Sequence, residues 1–216
     1  MSWKIVLFGL VFVLRLAGAQ VITLGAHAGV NLSRTDGADS VVRPVAGASL
    51  DLLLFPPFAL RLEAEYGEKG ARVQASAGAS GPTDYTLGYL ALPINLRYDV
   101  LTGRVPVYLF AGTTLGALLF ATATDDGMST SVRDQIRPID VTLDLGGGIG
   151  YQVSPNFAVM LDVRYSFGLI DDVKAEAALA VDSWKTRDVK VVFGVTYTFN
   201  PLAPASPSLP DMPQGL

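Results

Sequence analysis

The sequence predicts an all-β fold, namely an eight-stranded antiparallel up-and-down transmembrane β-barrel. Segments that alternate apolar and polar residues recur about eight times, and a two-residue period is typical of a strand with one apolar face. Very short and rather long connections alternate between these segments, as they do in bacterial outer-membrane barrels. Half of the 216 residues are hydrophobic and only 17% are charged, which is too apolar for an ordinary water-soluble domain.

The first half of the chain contains four predicted strands. Residues 21–33 alternate without a miss, residues 45–55 repeat the pattern, and the strand after Pro56-Pro57 places a charged row opposite its apolar one. The fourth strand, residues 85–99, contains Pro93, which cannot donate to a ladder and therefore predicts a bulge or a tilted segment. The apolar positions of these strands are Ile22, Leu24, Ala26, Ala28, Val30, Leu32, Ala46, Ala48, Leu50, Leu52, Leu54, Leu60, Leu62, Ala64, Tyr66, Leu90, Leu92, Ile94, Leu96 and Tyr98.

The second half contains four more predicted strands. Residues 105–120 follow the tight turn at residues 101–104, and their alternation blurs at residues 118–120. The uncharged stretch 105–123 is also long enough for a membrane-spanning helix, although its proline, threonines and glycines and the neighbouring strands favour a strand. The turn at residues 154–156 joins strands six and seven. The apolar positions of the last four strands are Val107, Leu109, Ala111, Leu115, Ile139, Val141, Leu143, Leu145, Ile149, Val159, Leu161, Val163, Tyr165, Phe167, Val189, Val191, Phe193, Val195, Tyr197 and Phe199.

The connections between the strands form two alternating sets. Tight turns are predicted near residues 56, 102 and 155, and longer loops over residues 34–43, 74–84, 121–137 and 169–186. If both chain ends are periplasmic, the three turns face the periplasm and the four loops lie outside the cell. An even number of strands follows from that arrangement.

The polar stripe of the strands decides between a soluble and a membrane barrel. A soluble barrel hides its apolar side chains inside, whereas this polar stripe combines glycines with charges that can pair inside a narrow lumen. The other stripe is nearly pure Leu, Val, Ile and Ala, with aromatic residues towards the strand ends, as in a lipid-facing band. We therefore expect a structural charge network in the lumen, formed by Asp51, Arg61, Glu63, Glu65, Arg97, Asp144, Asp162 and Arg164.

The two ends of the chain are predicted to lie outside the barrel, which then comprises residues 20–199. Residues 1–19 are typical of a cleaved signal peptide, with Lys4, an apolar stretch and a small-residue cleavage site, although Arg15 stands where a charge discourages processing. Residues 200–216 carry a proline at every third position. This spacing is typical of a polyproline-like, disordered tail rather than a strand, with a short periplasmic tether as the alternative.

Several strand segments share a pattern with one known family. The most specific segment is residues 89–98, which contain the otherwise unexpected Pro93, and the others are residues 25–33, 62–70, 107–112, 146–151 and 164–169. Together they resemble the PorT-like outer-membrane β-barrel proteins over about residues 21–199. Because that family is defined by its fold, the resemblance implies a small outer-membrane barrel and no catalytic residue set.

The last predicted strand ends with Gly194, Tyr197 and Phe199. A glycine followed by two alternating aromatic residues resembles the carboxy-terminal signal by which the bacterial assembly machinery recognises barrels. The pattern departs from that signal at Val192, where a polar residue is usual, and in the tail that follows Phe199. The resemblance implies the barrel assembly machinery as a partner.

Four other features suggest chemistry, and each has a structural explanation that we favour. His27 is the only histidine, so a Ser-His-Asp site would have to use it. The lumen carboxylates could supply an acid–base pair, and the loop acids Asp125-Asp126 and Asp171-Asp172 could bind calcium. Residues 146–150 superficially suggest a phosphate loop, but no Lys-Ser/Thr follows. We expect no catalytic residue, no cofactor and no metal site.

These features favour a structural or interaction role through the extracellular loops, with a lumen plugged by charged side chains. A narrow pore for ions or small solutes is the alternative, and an exported soluble ligand-binding barrel and a barrel enzyme are further ones. The expected partners are outer-membrane lipid, the assembly machinery and extracellular or envelope proteins. The net charge of -4 argues against nucleic acid, and the absence of cysteine excludes disulfides and thiolate chemistry.

Overall fold

The computed structural model describes residues 21–34, 38–74, 81–125, 127–170 and 187–199. Within these ranges lie nine strands: β1 (Ile22–Arg34), β2 (Val41–Phe55), β3 (Phe58–Val73), β4 (Thr83–Leu101), β5 (Val107–Asp125), β6 (Met128–Ser131), β7 (Ile139–Gln152), β8 (Phe157–Gly168) and β9 (Arg187–Phe199). One 3-10 turn, Arg133–Gln135, follows β6. None of the described helical segments is long and apolar enough to cross a membrane. The predicted signal peptide and the proline-rich tail lie outside the described residues.

Eight of the nine strands close into an antiparallel barrel. Each strand from β1 to β5 pairs with the next, β5 pairs with β7, and β7, β8 and β9 follow in order. Pairing between β1 and β9 closes the sheet, while the short β6 pairs only with the end of β5. The predicted eight-stranded up-and-down barrel is therefore confirmed, with β6 as an addition at one rim.

The strands are staggered around the barrel. A row of paired residues that leaves β1 at Arg34 passes through Arg187 and Phe167 and returns to β1 at Leu24, ten residues away along the same strand. A stagger of this kind tilts the strands, commonly by about 35–45°, and for eight strands leaves an interior that side chains can fill.

The alternation along each strand has the polarity that a membrane requires. Most of the predicted apolar stripe is exposed on the outward face, where Leu145 is 64% exposed and Phe193 58% exposed, whereas Leu52, also predicted to face outward, is 0% exposed. The inward stripe carries the charged and small residues, most of which are buried. Closure pairs the strand edges, which a sheet in hydrocarbon needs because an unsatisfied backbone amide there costs several kcal/mol. A soluble barrel with an apolar interior does not fit this arrangement.

β5 explains why the sequence pattern blurs at residues 118–120. Gly88 of β4 pairs with Phe120 and Tyr89 pairs with Leu118, so one residue of β5 is bulged out between them. A bulge of one residue reverses the alternation, and accordingly Leu118 is buried before it and Ala121 is buried after it. The rival interpretation of this stretch as a spanning helix is wrong.

Pro93 interrupts one ladder without shifting it. The pairs between β3 and β4 stop at Leu62 and Ile94 and resume in the same phase at Glu65 and Ala91. Pro93 still pairs with Thr114 on the other side. The predicted bulge at this proline is therefore wrong. The missing N–H of proline removes pairs locally, while the β3–β4 pairs before and after the gap keep the same register.

The connections differ from the prediction at the end opposite the short turns. Short turns join β2 to β3, β4 to β5 and β7 to β8, and Gly103 in the second of them has a φ of +102°, which glycine adopts most readily. The loop predicted over residues 121–137 is instead largely regular, because β5 continues to Asp125 and folds back as β6. Val132 and Ile136, which follow β6, pack against the barrel strands at the loop end.

Candidate functional site

The barrel interior brings together all eight residues of the predicted charge network. Each lies on the inward face of its strand, and all are buried except Arg97, which is half-buried. Their contacts form three layers along the barrel. We call these the lower layer, nearest the short turns, the middle layer and the upper layer.

The lower layer is centred on Arg61, which is 0% exposed. Its Nε and Nη2 donate to the two carboxylate oxygens of Asp51 at 2.7 and 2.9 Å, and its Nη1 donates to Asp162 Oδ2 at 2.7 Å. Arg97 adds a bond from Nη1 to Asp51 Oδ2 at 2.6 Å and one from Nε to Asp99 Oδ1 at 2.8 Å. This layer therefore ties four strands, β2, β3, β4 and β8, across the lumen.

Tyr108 completes the lower layer from β5. Its hydroxyl donates to Asp162, and its ring lies 3.9 Å from the guanidinium carbon of Arg97 and 5.0 Å from that of Arg61. A Cβ at Gly148 would lie 2.6 Å from this ring, so the glycine run of β7 makes room for an aromatic side chain. The interpretation of that run as a phosphate loop is wrong, since it lies within a strand.

The middle layer contains two ion pairs and one solitary carboxylate. Arg164 Nη2 donates to Glu63 Oε2 at 2.6 Å, and Lys190 pairs with Glu65. His27 Nε2 lies 3.7 Å from the second oxygen of Glu65. The structure thus places the only histidine beside an ion pair inside the barrel.

Asp144 is the solitary carboxylate of the middle layer. It accepts hydrogen bonds from two hydroxyl groups, those of Thr114 and Thr142, the latter at 3.1 Å. Both threonines are buried and inward-facing. A buried carboxylate needs such donors, because an unsatisfied charge in a low-dielectric interior is costly.

The upper layer contains three residues that were not included in the predicted network. Lys69 Nζ lies 2.7 Å from Asp140 Oδ2 and 3.0 Å from Asp188 Oδ2, and its ammonium lies 5.6 Å from the ring centre of Tyr89. Asp140 Oδ1 and Ser166 Oγ have no hydrogen-bond partner among the described residues. Both residues line an enclosed void of about 20 Å³, which has room for one water molecule.

The three layers share the same imbalance of charge, with one carboxylate more than cations in each. The carboxylates are those of Asp51, Asp99 and Asp162 in the lower layer, Glu63, Glu65 and Asp144 in the middle layer, and Asp140 and Asp188 in the upper layer. The cations are Arg61 and Arg97, then Arg164 and Lys190, then Lys69. As a count of groups, and leaving His27 aside, the three layers together have three more carboxylates than cations.

Above the upper layer an apolar group, which we call the mouth cluster, lies at the loop end of the barrel. Its members are Ala71, Tyr85, Leu87, Tyr89, Leu118, Ala121, Val132 and Ile136. Val132 and Ile136 come from the segment between β6 and β7, which is fixed by a hydrogen bond from Val132 N to Ala121 O at 3.0 Å. A connecting segment thus folds inward over the strands.

Sequence reasoning missed part of the site for two reasons. Asp188 and Lys190 alternate with apolar residues along β9, so the same two-residue period would have found them. Lys69 and Asp140 were recognised as inward positions but not as partners, because pairing across a barrel depends on the stagger of the strands. Of the loop acids, Asp125 is exposed, while Asp126, Asp171 and Asp172 lie outside the described residues.

The described residues contain no group of three or more His, Cys, Asp or Glu side chains arranged to hold a metal ion.

Two residues of the predicted assembly signal, Tyr197 and Phe199, face outward at the end of β9, with ring centres 4.6 Å apart. Gly194 faces inward, where a Cβ would lie 2.9 Å from that of His27. Its use as an assembly signal stays a prediction.

The comparisons with known proteins agree with this architecture. The sequence matches a family model described as an outer membrane protein beta-barrel domain over residues 19–173. No curated protein matches the sequence.

Solved outer-membrane barrels share the fold at low sequence identity. Neisserial surface protein A is 20% identical, with a TM-score of 0.55 and coverage of 82% of this chain and 97% of that one. A major outer membrane protein of Thermus thermophilus is 15% identical, with a TM-score of 0.54 and coverage of 82% and 99%. Ail of Yersinia pestis, in complex with the heparin analogue sucrose octasulfate, is 15% identical, with a TM-score of 0.50 and coverage of 83% and 98%.

Proposed function

The chain belongs to the outer membrane protein β-barrel domain family, and from this premise we propose that it acts as a closed barrel that does not conduct. In this proposal the barrel has a structural or interaction role, exerted through its extracellular end. Its residence in the outer membrane follows from the family and from the outward apolar face.

The ion pairs that cross the lumen are the observation that supports the proposal. Ion pairs of the three layers cross the interior, and the mouth cluster lies above them. Two voids next to these layers measure about 20 Å³ in the upper lumen and about 40 Å³ beside Arg61 and Tyr108. A void of that size holds one or two water molecules, which does not provide a continuous path for a hydrated ion.

Conductance across a planar lipid bilayer tests the proposal directly. The full chain, refolded in detergent and shown to be folded by heat-modifiable migration on a gel, is added to one side of the membrane. We expect a current that cannot be distinguished from that of the empty membrane. Regular unitary steps that depend on the protein would contradict a closed lumen.

The lengths of β4 and β5 support an extracellular role. Each strand has 19 residues, whereas about 9–11 residues suffice for a tilted strand to cross the bilayer. The turn between β4 and β5 is short, and Tyr98 marks the membrane boundary near that turn. The residues that are not needed to cross the bilayer therefore extend on the loop side. We propose that this rim, together with β6, meets extracellular or envelope proteins.

The remaining expectations belong to the same proposal. The chain is exported by a cleaved signal peptide, is inserted by the barrel assembly machinery through Gly194, Tyr197 and Phe199, contacts outer-membrane lipid and catalyses no reaction. Deleting residues 1–19, or replacing both aromatic residues by alanine, should each lower the amount of folded protein in the outer-membrane fraction. An unchanged amount of folded protein in the outer-membrane fraction would show that the altered segment does not act as the proposed signal.

A narrow cation pore is the second candidate, and the charge imbalance of the lumen favours it. The excess of carboxylates would attract cations if thermal motion opened a water path between the layers. A reversal potential measured across a potassium chloride gradient distinguishes the two candidates. Cation-selective current would favour the pore, and silence would favour the closed barrel.

A further inference from the structure

The only histidine of the chain lies in the middle layer, at a position where both neighbouring strands leave space. His27 of β1 is paired with Gly47 of β2 on one side and with Gly194 of β9 on the other. A Cβ at Gly47 would lie 2.9 Å from His27 Nε2, and one at Gly194 would lie 2.9 Å from His27 Cβ. The two glycines therefore leave room for an imidazole inside the lumen, where His27 is only 6% exposed.

The imidazole faces a carboxylate. His27 Nε2 lies 3.7 Å from Glu65 Oε2, and a carboxylate only accepts hydrogen bonds, so the nitrogen that faces it carries a hydrogen. His27 Nδ1 is buried and has no hydrogen-bond partner among the described residues, so no donor there holds the ring in its neutral form. We propose that His27 is a proton-binding site of the folded barrel and supplies the third cation of the middle layer.

The groups of the middle layer leave a place for one more cation. Apart from the histidine, this layer has three carboxylates and two cations, namely Glu63, Glu65 and Asp144, and Arg164 and Lys190. A protonated His27 makes the two numbers equal. An uncompensated charge in a low-dielectric interior is costly, and a proton on the imidazole reduces that cost.

Glu65 would then lie between two cations, because Lys190 pairs with its other carboxylate oxygen. The lower layer already contains such an arrangement, since Asp51 accepts hydrogen bonds from both Arg61 and Arg97. An ionised carboxylate has two oxygens and can accept from several donors. One carboxylate shared by two cations is therefore compatible with this lumen.

Other charged groups face the lumen around the histidine. Those on the strands packed against β1 and those across the lumen are Arg43 and Asp51 of β2, Arg61, Glu63 and Lys69 of β3, Asp188 and Lys190 of β9, Asp144 of β7, and Asp162 and Arg164 of β8. Together with Glu65 they comprise six carboxylates and five cations, so the wider surroundings also favour one more positive charge. Histidine is the only side chain that ordinarily titrates between about pH 5 and 8, and the chain has no cysteine.

The proposal makes the stability of the barrel depend on pH near neutrality. An ion pair that a proton forms only in the folded state stabilises that state at low pH, and its contribution is lost as the pH rises and the proton leaves. We expect the equilibrium constant for unfolding in urea to increase about tenfold between about pH 6 and pH 8.5, which corresponds to about 1.4 kcal/mol. This response is expected whether or not the lumen conducts.

The single histidine allows the proton to be observed directly. The full chain, without an affinity tag of histidines, is labelled with nitrogen-15 histidine and folded in detergent. Nitrogen NMR distinguishes an imidazolium from a neutral imidazole. We expect the imidazolium in the wild-type barrel at about pH 7, above the ordinary midpoint of about 6.5, and the neutral ring in E65Q. A neutral imidazole in the wild-type barrel at this pH would overturn the proposal.

A variant without the imidazole provides an independent test. H27Q should make the equilibrium constant for unfolding nearly independent of pH over the same range. Ser49, an inward residue of the adjacent strand that is 6% exposed, supplies the matched control S49A, which should keep the wild-type response. A pH response that H27Q retains would overturn the proposal by assigning the proton to a carboxylate. The wild-type spectrum and H27Q decide the proposal even where E65Q does not fold.

Discussion

The lower layer and the mouth cluster lie inside the same barrel and are built by opposite chemistry. The lower layer is built from charges, with Arg61 bonded to Asp51 and Asp162 across the lumen. The mouth cluster is built from apolar side chains, and two of them, Val132 and Ile136, come from a connecting segment rather than from the wall. The lower layer is part of the sheet, whereas the mouth cluster includes a segment that is laid over the sheet.

This difference indicates how firmly each of the two groups is held. Removing a partner from the lower layer leaves a charge buried in a narrow interior, which is costly for the whole barrel. Removing a partner from the mouth cluster leaves a small cavity that a connecting segment can partly fill by moving. We therefore expect the lower layer to control the stability of the barrel and the mouth cluster to control the order of its rim.

Replacement of Arg61 by leucine should have the largest effect. The carboxylates of Asp51 and Asp162 would lose their shared cation, and breaking a buried pair in this way lowers the free energy of unfolding by about 3–5 kcal/mol. Urea unfolding in lipid vesicles measures the change. The matched control is R137L at an exposed arginine, which should stay within about 0.5 kcal/mol. A loss below about 1 kcal/mol in R61L would show that water compensates the carboxylates.

Replacement of Ile136 by alanine should have the next largest effect, and a local one. Ile136 is 1% exposed, and truncating it should cost about 2–3 kcal/mol, the lower part of the usual range, because the connecting segment can partly fill the cavity. Hydrogen exchange of residues 128–138 should accelerate, while exchange in β8 and β9 stays the same. Met128, 75% exposed on β6, supplies the control M128A. Equal acceleration throughout the barrel in I136A would contradict a separate mouth cluster.

Replacement of Thr114 by valine tests the middle layer with almost no change of shape. Asp144 would lose one of its two hydroxyl donors, and the free energy of unfolding should fall by about 1–2 kcal/mol. Thr122 lies on the same strand at the rim and is half-buried, so T122V serves as the control in the same urea assay. An unchanged midpoint in T114V would indicate that Asp144 is held by other groups.

Replacement of Arg72 by alanine should have the smallest effect. Arg72 is 52% exposed in its side chain and pairs with Asp84 at 3.0 Å, and exposed pairs contribute about 1 kcal/mol or less. Salt sharpens the contrast, because about 0.5 M sodium chloride screens exposed charges far more than buried ones. The small difference between R72A and wild type should vanish in salt, whereas the loss in R61L should remain. If the loss of unfolding free energy in R72A did not change with salt, the Arg72–Asp84 pair would not be screened by solvent as proposed.

The wall of the barrel was predictable because the face that a side chain occupies depends only on its position along its own strand. A two-residue period assigns every side chain of a strand to one face, so the inward position of Asp51, Glu63 and Arg164 followed from the sequence alone. The failures in the wall are also local in origin. A bulge at Leu119 cannot be distinguished from a blurred pattern without the partner strand, and Pro93 gives no sign of whether it shifts the register or only removes pairs.

The contacts inside the barrel were less predictable because they depend on distance across the barrel. Lys69 reaches both Asp140 and Asp188 only because the strands are staggered by ten residues, and nothing in the sequence states that stagger. The mouth cluster was missed altogether. Val132 and Ile136 lie in a stretch with no sustained alternation, and their burial depends on the fold-back of β6, which a loop prediction over residues 121–137 does not contain.

The pairing of β1 with β9 has a consequence for how the barrel is made. Residue 22 is partnered with residue 199, so the first and last of the described barrel strands must meet before the sheet loses its open edges. Contacts between such remote parts of a chain slow folding, and until they form, the polypeptide carries open edges that invite pairing with other chains. Loss of either β1 or β9 would leave the remaining strands without the partner that encloses the lumen.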